Sequence, residues 1–265
     1  MKKILARGGI EFLAVLFGIT ISLWVEDSRE NIHIQNRIAE DYSYIKQEIE
    51  LDIKNIDNII IAVNDQITSL KKLLNYNEKK IEFKDSDVIF NLKKITSPTF
   101  YGTQTAYTAS VSSGRLNSSK DVNLSNEISL LYEHFYKRLD ANSELYDFRN
   151  QKLKSDYFMD FFQITVGGHK FNNSTKEIFL SAETRNALYW ILEFVEKFYI
   201  FRLKDTKDQM LKTKVLISGF LSEIKWNASG LNSGKKIAQI ISKLLKSFKY
   251  WMEINNDNNN IKYTI

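Results

Sequence analysis

The chain has 265 residues and a net charge of +5, is 43% hydrophobic and 26% charged, and contains one Pro and no Cys. This composition predicts a folded chain, excludes disulfides and Cys-ligated metals, and disfavours an all-β sandwich, which needs many turns. Residues 1–25 carry a net charge of +2, residues 26–233 carry −1 and residues 234–265 carry +4. Because the body is neutral and Lys outnumbers Arg by 29 to 8, we expect no nucleic-acid partner.

An apolar stretch near the N-terminus predicts a membrane anchor. Residues 12–25, FLAVLFGITISLWV, carry no charge. Extension back to Gly8 gives about 27 Å of helix, close to the ~30 Å of a bilayer core. No small residues mark a cleavage site after it, so residues 1–25 are predicted to be a cytoplasmic stub and an uncleaved transmembrane signal-anchor. The candidate anchor residues are Phe12, Val15, Leu16, Ile19, Leu23 and Trp24.

The charges on either side of the anchor predict its orientation. Basic residues precede the apolar stretch and acidic residues follow it closely. The positive-inside rule therefore places the N-terminus in the cytoplasm and the body outside it, as in a single-pass protein of a bacterial inner membrane.

Glu11 is the one acidic residue of this segment. An intramembrane carboxylate is a candidate proton carrier, as in ion-driven motor subunits with one N-terminal span. The other interpretation places Glu11 one turn inside the cytoplasmic interface, where it reaches the headgroups or Arg7. Position favours the second interpretation, because a relay acid usually sits deeper in the membrane.

Residues 26–76 are predicted to form a long coiled-coil-like helix that continues the anchor. No Gly or Pro occurs between Gly18 and Pro98. Apolar side chains recur every three or four residues, with one four-residue stutter near Ile53. The predicted seam comprises Ile38, Tyr42, Ile45, Ile49, Ile53, Ile56, Ile60, Val63, Ile67, Leu70 and Leu74. Off this seam lie three acids that are expected to form a solvated face: Glu48, Glu50 and Asp52.

Residues 77–232 are predicted to form a helical bundle. Shorter helices are expected near residues 87–95, 103–113, 124–150 and 152–163, and a loop at residues 167–173. A second long helix covers residues 182–225, with Ser181 as its N-cap. The spacing leaves open whether the first long helix packs on another subunit or on this one, but their similar lengths favour antiparallel packing within the chain.

The segment Ser112-Ser113-Gly114-Arg115-Leu116 predicts a helix C-terminus. Gly114 takes the left-handed position just beyond the helix, and Leu116 folds back on the last turn. A nucleophile or phosphate loop at this segment would need a neighbouring base or more glycines, and neither is present in the sequence.

Motifs of the anchor and of the central segment occur together in this chain, at Gly9, Glu11, Gly18, Ile19, Trp24, Glu26, Tyr107, Ser112, Ser113, Gly114, Leu116, Tyr132 and Tyr136. At these positions the chain resembles an uncharacterised family of bacterial membrane proteins, common in Bacteroidota and known only as a domain of unknown function. That family pairs an N-terminal anchor with a helical body that contains a Ser-Ser-Gly-x-Leu element. The resemblance implies an anchored helical fold and no particular activity.

Residues 233–265 are predicted to be a basic amphipathic helix and a polar tail. The helix, KKIAQIISKLLKSFKYWM, carries an apolar stripe and five Lys without an acid. Such helices lie on membrane surfaces, although the stripe is also compatible with packing on the bundle. The candidate membrane-surface residues are Lys235, Lys236, Lys243, Lys246, Lys249 and Trp251.

The sequence therefore predicts an all-α protein in which a single N-terminal transmembrane helix continues into a long helix and an elongated helical bundle. We expect a non-enzymatic interaction, scaffold or envelope-sensing module without catalytic, cofactor or metal sites or a small-molecule substrate. Its expected partners are membrane lipid and either further copies of itself or a partner membrane protein. The alternatives are an ion-channel or motor-type subunit that uses Glu11, and a membrane-perturbing defence or toxin effector.

Overall fold

The structure is a computed structural model that describes residues 2–82, 84–158, 162–165, 168–171, 176–230 and 242. Side chains are described from Phe12 onward, except those of residues 13, 14, 162–165, 168–171 and 225–230 within the helices and strands. The chain divides into two compact units, Met1–Ile217 and Ser218–Ile265. The Glu11 side chain and the predicted tail at 233–265, apart from Ser242, lie outside the described residues.

The first helix, α1, spans Lys2–Asn77 without interruption. The prediction that the anchor segment and the following long helix are one helix is therefore confirmed. An uninterrupted helix is expected, because no Pro occurs before Pro98 to break it. Between residues 10 and 77 the helix contains one Gly, Gly18, and no described side chain packs against that position.

The buried face of α1 differs from the predicted seam. The predicted members Ile53, Ile60 and Ile67 are half-buried, and the fully buried positions lie one residue earlier, at Asp52, Ile59 and Gln66. With these three residues, a row of buried positions from Ile38 to Leu70 alternates four and three residues apart, and Ser69 is buried beside it. The predicted stutter and the solvated face at Asp52 are both wrong, because the buried row includes polar side chains.

Five short helical elements follow α1. Helix α2 covers Asp85–Lys93, α3 covers Thr105–Ser112, α4 covers Val122–Leu130 and α5 covers Lys137–Leu153, with a 3₁₀ turn at Leu116–Ser118. Two π-helical segments, π1 at Leu131–Tyr136 and π2 at Lys154–Phe158, precede and follow α5. The predicted helix at 124–150 is therefore α4, π1 and α5 in succession, and the predicted separate helix at 152–163 is wrong.

A short β-hairpin lies where a loop was predicted. Strand β1, Phe162–Thr165, pairs antiparallel with β2, Gly168–Phe171, and the backbone register pairs Phe162 with Phe171. The Gly-Gly pair that suggested a loop at residues 167–173 is also a hairpin signal, so the loop prediction is wrong over β2. The all-α class is confirmed for the rest of the described chain.

A short helix, α6, covers Lys176–Phe179. The second long helix follows it in three parts: α7 at Ala182–Phe194, a π-helical segment π3 at Val195–Tyr199, and α8 at Ile200–Gly230. The Ser181 N-cap is confirmed, because its hydroxyl accepts the Thr184 N–H at 3.2 Å.

Three ion pairs link α1 with this second long helix in order. Lys71 pairs with Glu196 at 2.5 Å, Asp57 with Lys207 at 2.5 Å and Glu50 with Lys214 at 3.2 Å. Residue numbers rise on one helix as they fall on the other, so the two helices pack antiparallel within one chain, as predicted.

The predicted helix C-terminus at Gly114 is confirmed. Gly114 has φ +72°, and its N–H donates to the Val111 carbonyl at 2.9 Å. The Arg115 N–H donates to the Ser110 carbonyl at 3.1 Å, which completes the Schellman pattern that a left-handed residue closes. The Arg115 guanidinium then binds both carboxylate oxygens of Asp41, at 2.6 and 3.0 Å, and ties this turn to α1.

Candidate functional site

The predicted anchor residues lie exposed on the N-terminal part of α1. The six of them are 48 to 67% exposed, and Phe17 between them is 62% exposed. Val15, Leu16 and Phe17 are consecutive, and consecutive helical residues point about 100° apart, so apolar surface covers every side of this segment. A helix that is apolar all round is normally covered by other apolar groups. Within the described part of the chain, no helix meets the length and hydropathy that crossing a membrane requires.

Three hydrogen bonds from other elements converge on Asp52, in the middle of the buried face of α1. The Asp52 side chain is 3% exposed. Its carboxylate accepts the Thr103 N–H and the Thr103 hydroxyl, both at 2.9 Å, and the Tyr136 hydroxyl at 2.8 Å. Burial raises the pKa of Asp52, and the three hydrogen bonds oppose that shift. Asp52 therefore joins α1 to both the segment before α3 and the π1 segment.

Glu48 lies one turn before Asp52 and holds the start of α3. Both of its carboxylate oxygens accept the Ala106 N–H, at 3.0 and 3.1 Å. The N-cap residue Gln104 makes no capping hydrogen bond of its own, so Glu48 satisfies an N–H that the helix leaves unpaired. A carboxylate is also favourable there because the N-terminus carries the positive end of the helix dipole. Burial raises the pKa of Glu48, and the bond from Ala106 lowers it.

A tyrosine cluster covers these two carboxylates. Tyr132 and Tyr136, one turn apart in π1, are 1% and 0% exposed. Tyr132 stacks on Tyr107 with 4.3 Å between ring centroids, and the Tyr107 hydroxyl donates to Glu133 at 3.0 Å. Burial raises the pKa of Tyr107 to about 12 and raises that of Tyr132 further. Burial also raises the pKa of Tyr136 well above its ordinary value, so all three phenols stay protonated near neutral pH.

The extended segment before α3 is fixed against the same tyrosines. The Pro98 carbonyl accepts the Tyr199 hydroxyl at 3.1 Å, and the Phe100 ring meets the Tyr136 ring edge to face at 5.3 Å. A Cβ on Gly102 would lie 2.3 Å from the Tyr136 ring, so only Gly fits at this position. Tyr136 and Tyr199 both come from π-segments, and the extra residue of such a segment re-aims the side chains that follow it.

A second polar layer lies further along α1. Gln66, fully buried, donates to the Asn150 side chain at 3.1 Å and accepts the Tyr146 hydroxyl. Asn150 also donates to the Tyr146 carbonyl at 3.2 Å. Because every partner lies on α5, this layer fixes the register of α1 against α5.

Each of these core carboxylates uses its oxygens to bind backbone or hydroxyl donors from another element. Among the described residues, no group of three His, Asp or Glu side chains is arranged to hold a metal ion. The chemistry that the arrangement supports is the positioning of α3 and of the segment before it against α1. Sequence reasoning missed Asp52 and Gln66 because a search for apolar spacing skips polar residues, although both lie in the strict four–three alternation.

Comparisons with known proteins give one match. The family described as "Family of unknown function (DUF6090)" matches residues 10–183, which include α1 from residue 10 onward, the Asp52 cluster and the Ser-Ser-Gly element. No curated protein matches, and neither does any solved structure. The match covers well over half of the chain, and the chain therefore belongs to the family of unknown function DUF6090.

Proposed function

We propose that this chain is a membrane-anchored, non-enzymatic scaffold or envelope-sensing module of the bacterial inner membrane, with its body outside the cytoplasm. One observation carries the proposal. A single continuous helix, α1, exposes apolar side chains on every side at its N-terminal end and contributes the central buried row of the body further along. Lipid is the environment that suits an apolar surface on all sides of a helix.

The core contacts support a mechanical role for α1. Residues 26–77 of α1 extend over about 78 Å at 1.5 Å per residue. Asp52, Glu48 and Gln66 bind α1 to π1, α3 and α5 through buried or partly buried hydrogen bonds. A helix held so closely moves together with the body, so a force or displacement at the anchor would be transmitted to the surfaces that the body presents.

Partners of the module follow from this proposal. The anchor contacts membrane lipid, and the body presents its surfaces to a second copy of the chain or to a partner membrane protein. Charge asymmetry around the apolar stretch supports a cytoplasmic N-terminus. A reporter that is active only in the cytoplasm should therefore be silent when fused to the C-terminus, and activity there would refute the orientation.

Membrane extraction tests the anchor itself. The full chain should remain in the membrane pellet after alkaline carbonate treatment. Leu16→Arg combined with Ile19→Arg should release it, because each Arg near the centre of a span costs about 2.5–3.5 kcal/mol. Leu51→Arg with Ile61→Arg is the matched control, since both residues are exposed apolar positions of the same helix, 61% and 63% exposed, and should leave the chain in the pellet. Release of the unaltered chain by carbonate would refute the proposal.

A further inference from the structure

An open groove of about 530 Å³ lies between α5 with π2 on one side and α7 on the other. Lys152, Asp156 and Tyr157 line the first side, and Glu183, Asn186 and Trp190 line the second. Small-molecule sites commonly have volumes between about 300 and 1,000 Å³. We infer that this groove binds a neutral oligosaccharide.

Trp190 provides a rigid aromatic platform in the groove. Its side chain is 41% exposed, which is high for the largest apolar residue. The Arg149 guanidinium lies 4.2 Å from the indole centroid, and Arg149 also donates to the Trp190 carbonyl at 3.4 Å. A ring that is already held in place loses little freedom when a ligand binds. The negative face of an indole attracts weakly positive C–H groups, and one side of a sugar ring presents a row of them.

Polar side chains extend along the same groove. Glu183, Asn186 and Trp190 are three and four residues apart on α7, so they share one face over roughly 10 Å. Asn186 is exposed, and its side-chain amide makes no hydrogen bond to any described residue, which leaves an acceptor and two donors for a ligand. Amide and carboxylate groups can each bind two neighbouring hydroxyls, and a sugar presents hydroxyls in such pairs.

The charges of the groove favour a neutral ligand. Lys152 pairs with Asp156 at 2.8 Å, so these two charges compensate each other. Glu183 adds a carboxylate that would repel phosphate or another anion. The nearby Arg149 cation is stacked between the Trp190 and Phe194 rings, at 4.2 and 4.4 Å. An acyl chain in the groove would remove water from three charged side chains and from the Asn186 amide without replacing their hydrogen bonds, which is unfavourable. The hydroxyl groups of a sugar would replace those hydrogen bonds.

The inference assigns a ligand to the proposed module and in that respect rests on the proposed function, but separate experiments test the two. Membrane extraction tests the anchor, and a binding titration tests the groove. A chain that binds sugar and is released by carbonate would refute only the anchor. A chain that stays in the pellet and binds no sugar would refute only the inference.

The test is a titration of the full chain in lipid nanodiscs, without sugar-headed detergents. The ligands are cellotriose, maltotriose and N-acetylated chitotriose, with inorganic phosphate and decanoate for comparison. Concentrations up to about 10 mM detect affinities of a few kcal/mol. Saturation-transfer NMR follows binding. At least one trisaccharide should bind saturably, and Trp190→Ala should weaken that binding about tenfold, which corresponds to 1.4 kcal/mol. Asn186→Ala keeps the Arg149–Trp190 stack and should weaken binding several-fold.

Tyr189→Ala is the matched control. Tyr189 is an aromatic neighbour, 45% exposed, whose hydroxyl donates to Glu78 at 3.0 Å and not to a groove residue, so its loss should leave the sugar affinity unchanged. Three results would overturn the inference: no saturable binding of any of the three sugars, binding that both groove variants leave intact, or preferential binding of inorganic phosphate or decanoate.

Discussion

The Tyr136 hydroxyl should contribute measurably to folding because it donates to a buried carboxylate. Tyr136→Phe removes that 2.8 Å hydrogen bond and keeps the ring, its packing and its edge contact with Phe100. Hydrogen bonds to charged groups contribute about 1.5–3 kcal/mol, and Asp52 retains its two bonds from Thr103, so we expect a loss of about 2 kcal/mol. For a folded unit of this size that corresponds to a fall in Tm of roughly 4–8 °C.

Tyr132→Phe is the matched control for this experiment. Tyr132 lies in the same π-segment, is equally buried, and its hydroxyl has no hydrogen-bond partner among the described residues. The same substitution there should change the free energy of unfolding by less than about 0.5 kcal/mol, or raise it slightly. Urea unfolding followed by circular dichroism measures both variants. Equal effects of the two substitutions would refute the assignment of Asp52 as the central acceptor of the core.

Three further predictions concern the same elements and use the same unfolding assay. Gly102→Ala should destabilise the fold strongly, because the new Cβ would lie 2.3 Å from the Tyr136 ring. Gly219→Ala, where no described atom lies within 4 Å of the new Cβ, should stabilise its helix by about 0.5–1 kcal/mol. Equal changes in the free energy of unfolding for the two variants would contradict this prediction. Gly114→Ala should cost about 1–2 kcal/mol, because φ is +72° there, and an unchanged midpoint would be contrary to the Schellman turn. The pKa of Asp52 is raised by burial, so the folded state binds this proton more tightly than the unfolded state does. Its contribution to stability should be complete below pH 3.8 and fall as pH rises through the higher folded pKa. Asp52→Asn should remove that pH dependence, and a variant that keeps the full dependence would exclude Asp52 as its source.

Much of the helical architecture follows from spacing alone. The absence of Gly and Pro between Gly18 and Pro98 predicts one long helix, and Ser181 marks the start of the second. Gly114 predicts its own left-handed turn, because Gly has no Cβ and adopts that conformation without a steric cost. These features depend on local chemistry, which a sequence displays directly.

The polar core could not be predicted in the same way. Asp52 is buried only because Thr103, 51 residues away, and Tyr136, 84 residues away, supply its hydrogen bonds. Asp52 differs from Glu50 in the local sequence only by its place in the four–three alternation, and Glu50 lies half-buried and pairs with Lys214. The π-segments are also missed, since one extra residue shifts the apolar spacing no more than ordinary variation does.

The most direct test of the account uses the natural absence of cysteine from this chain. Single substitutions, Phe17→Cys in the exposed apolar part of α1 and Arg29→Cys three turns further along, can be labelled in intact membranes with a membrane-impermeant maleimide from the side of the body. If α1 passes from the bilayer into the body as one helix, Arg29→Cys will react rapidly and Phe17→Cys will react only after detergent is added. Equal labelling of both cysteines before detergent would contradict the membrane anchor, and with it the proposed function.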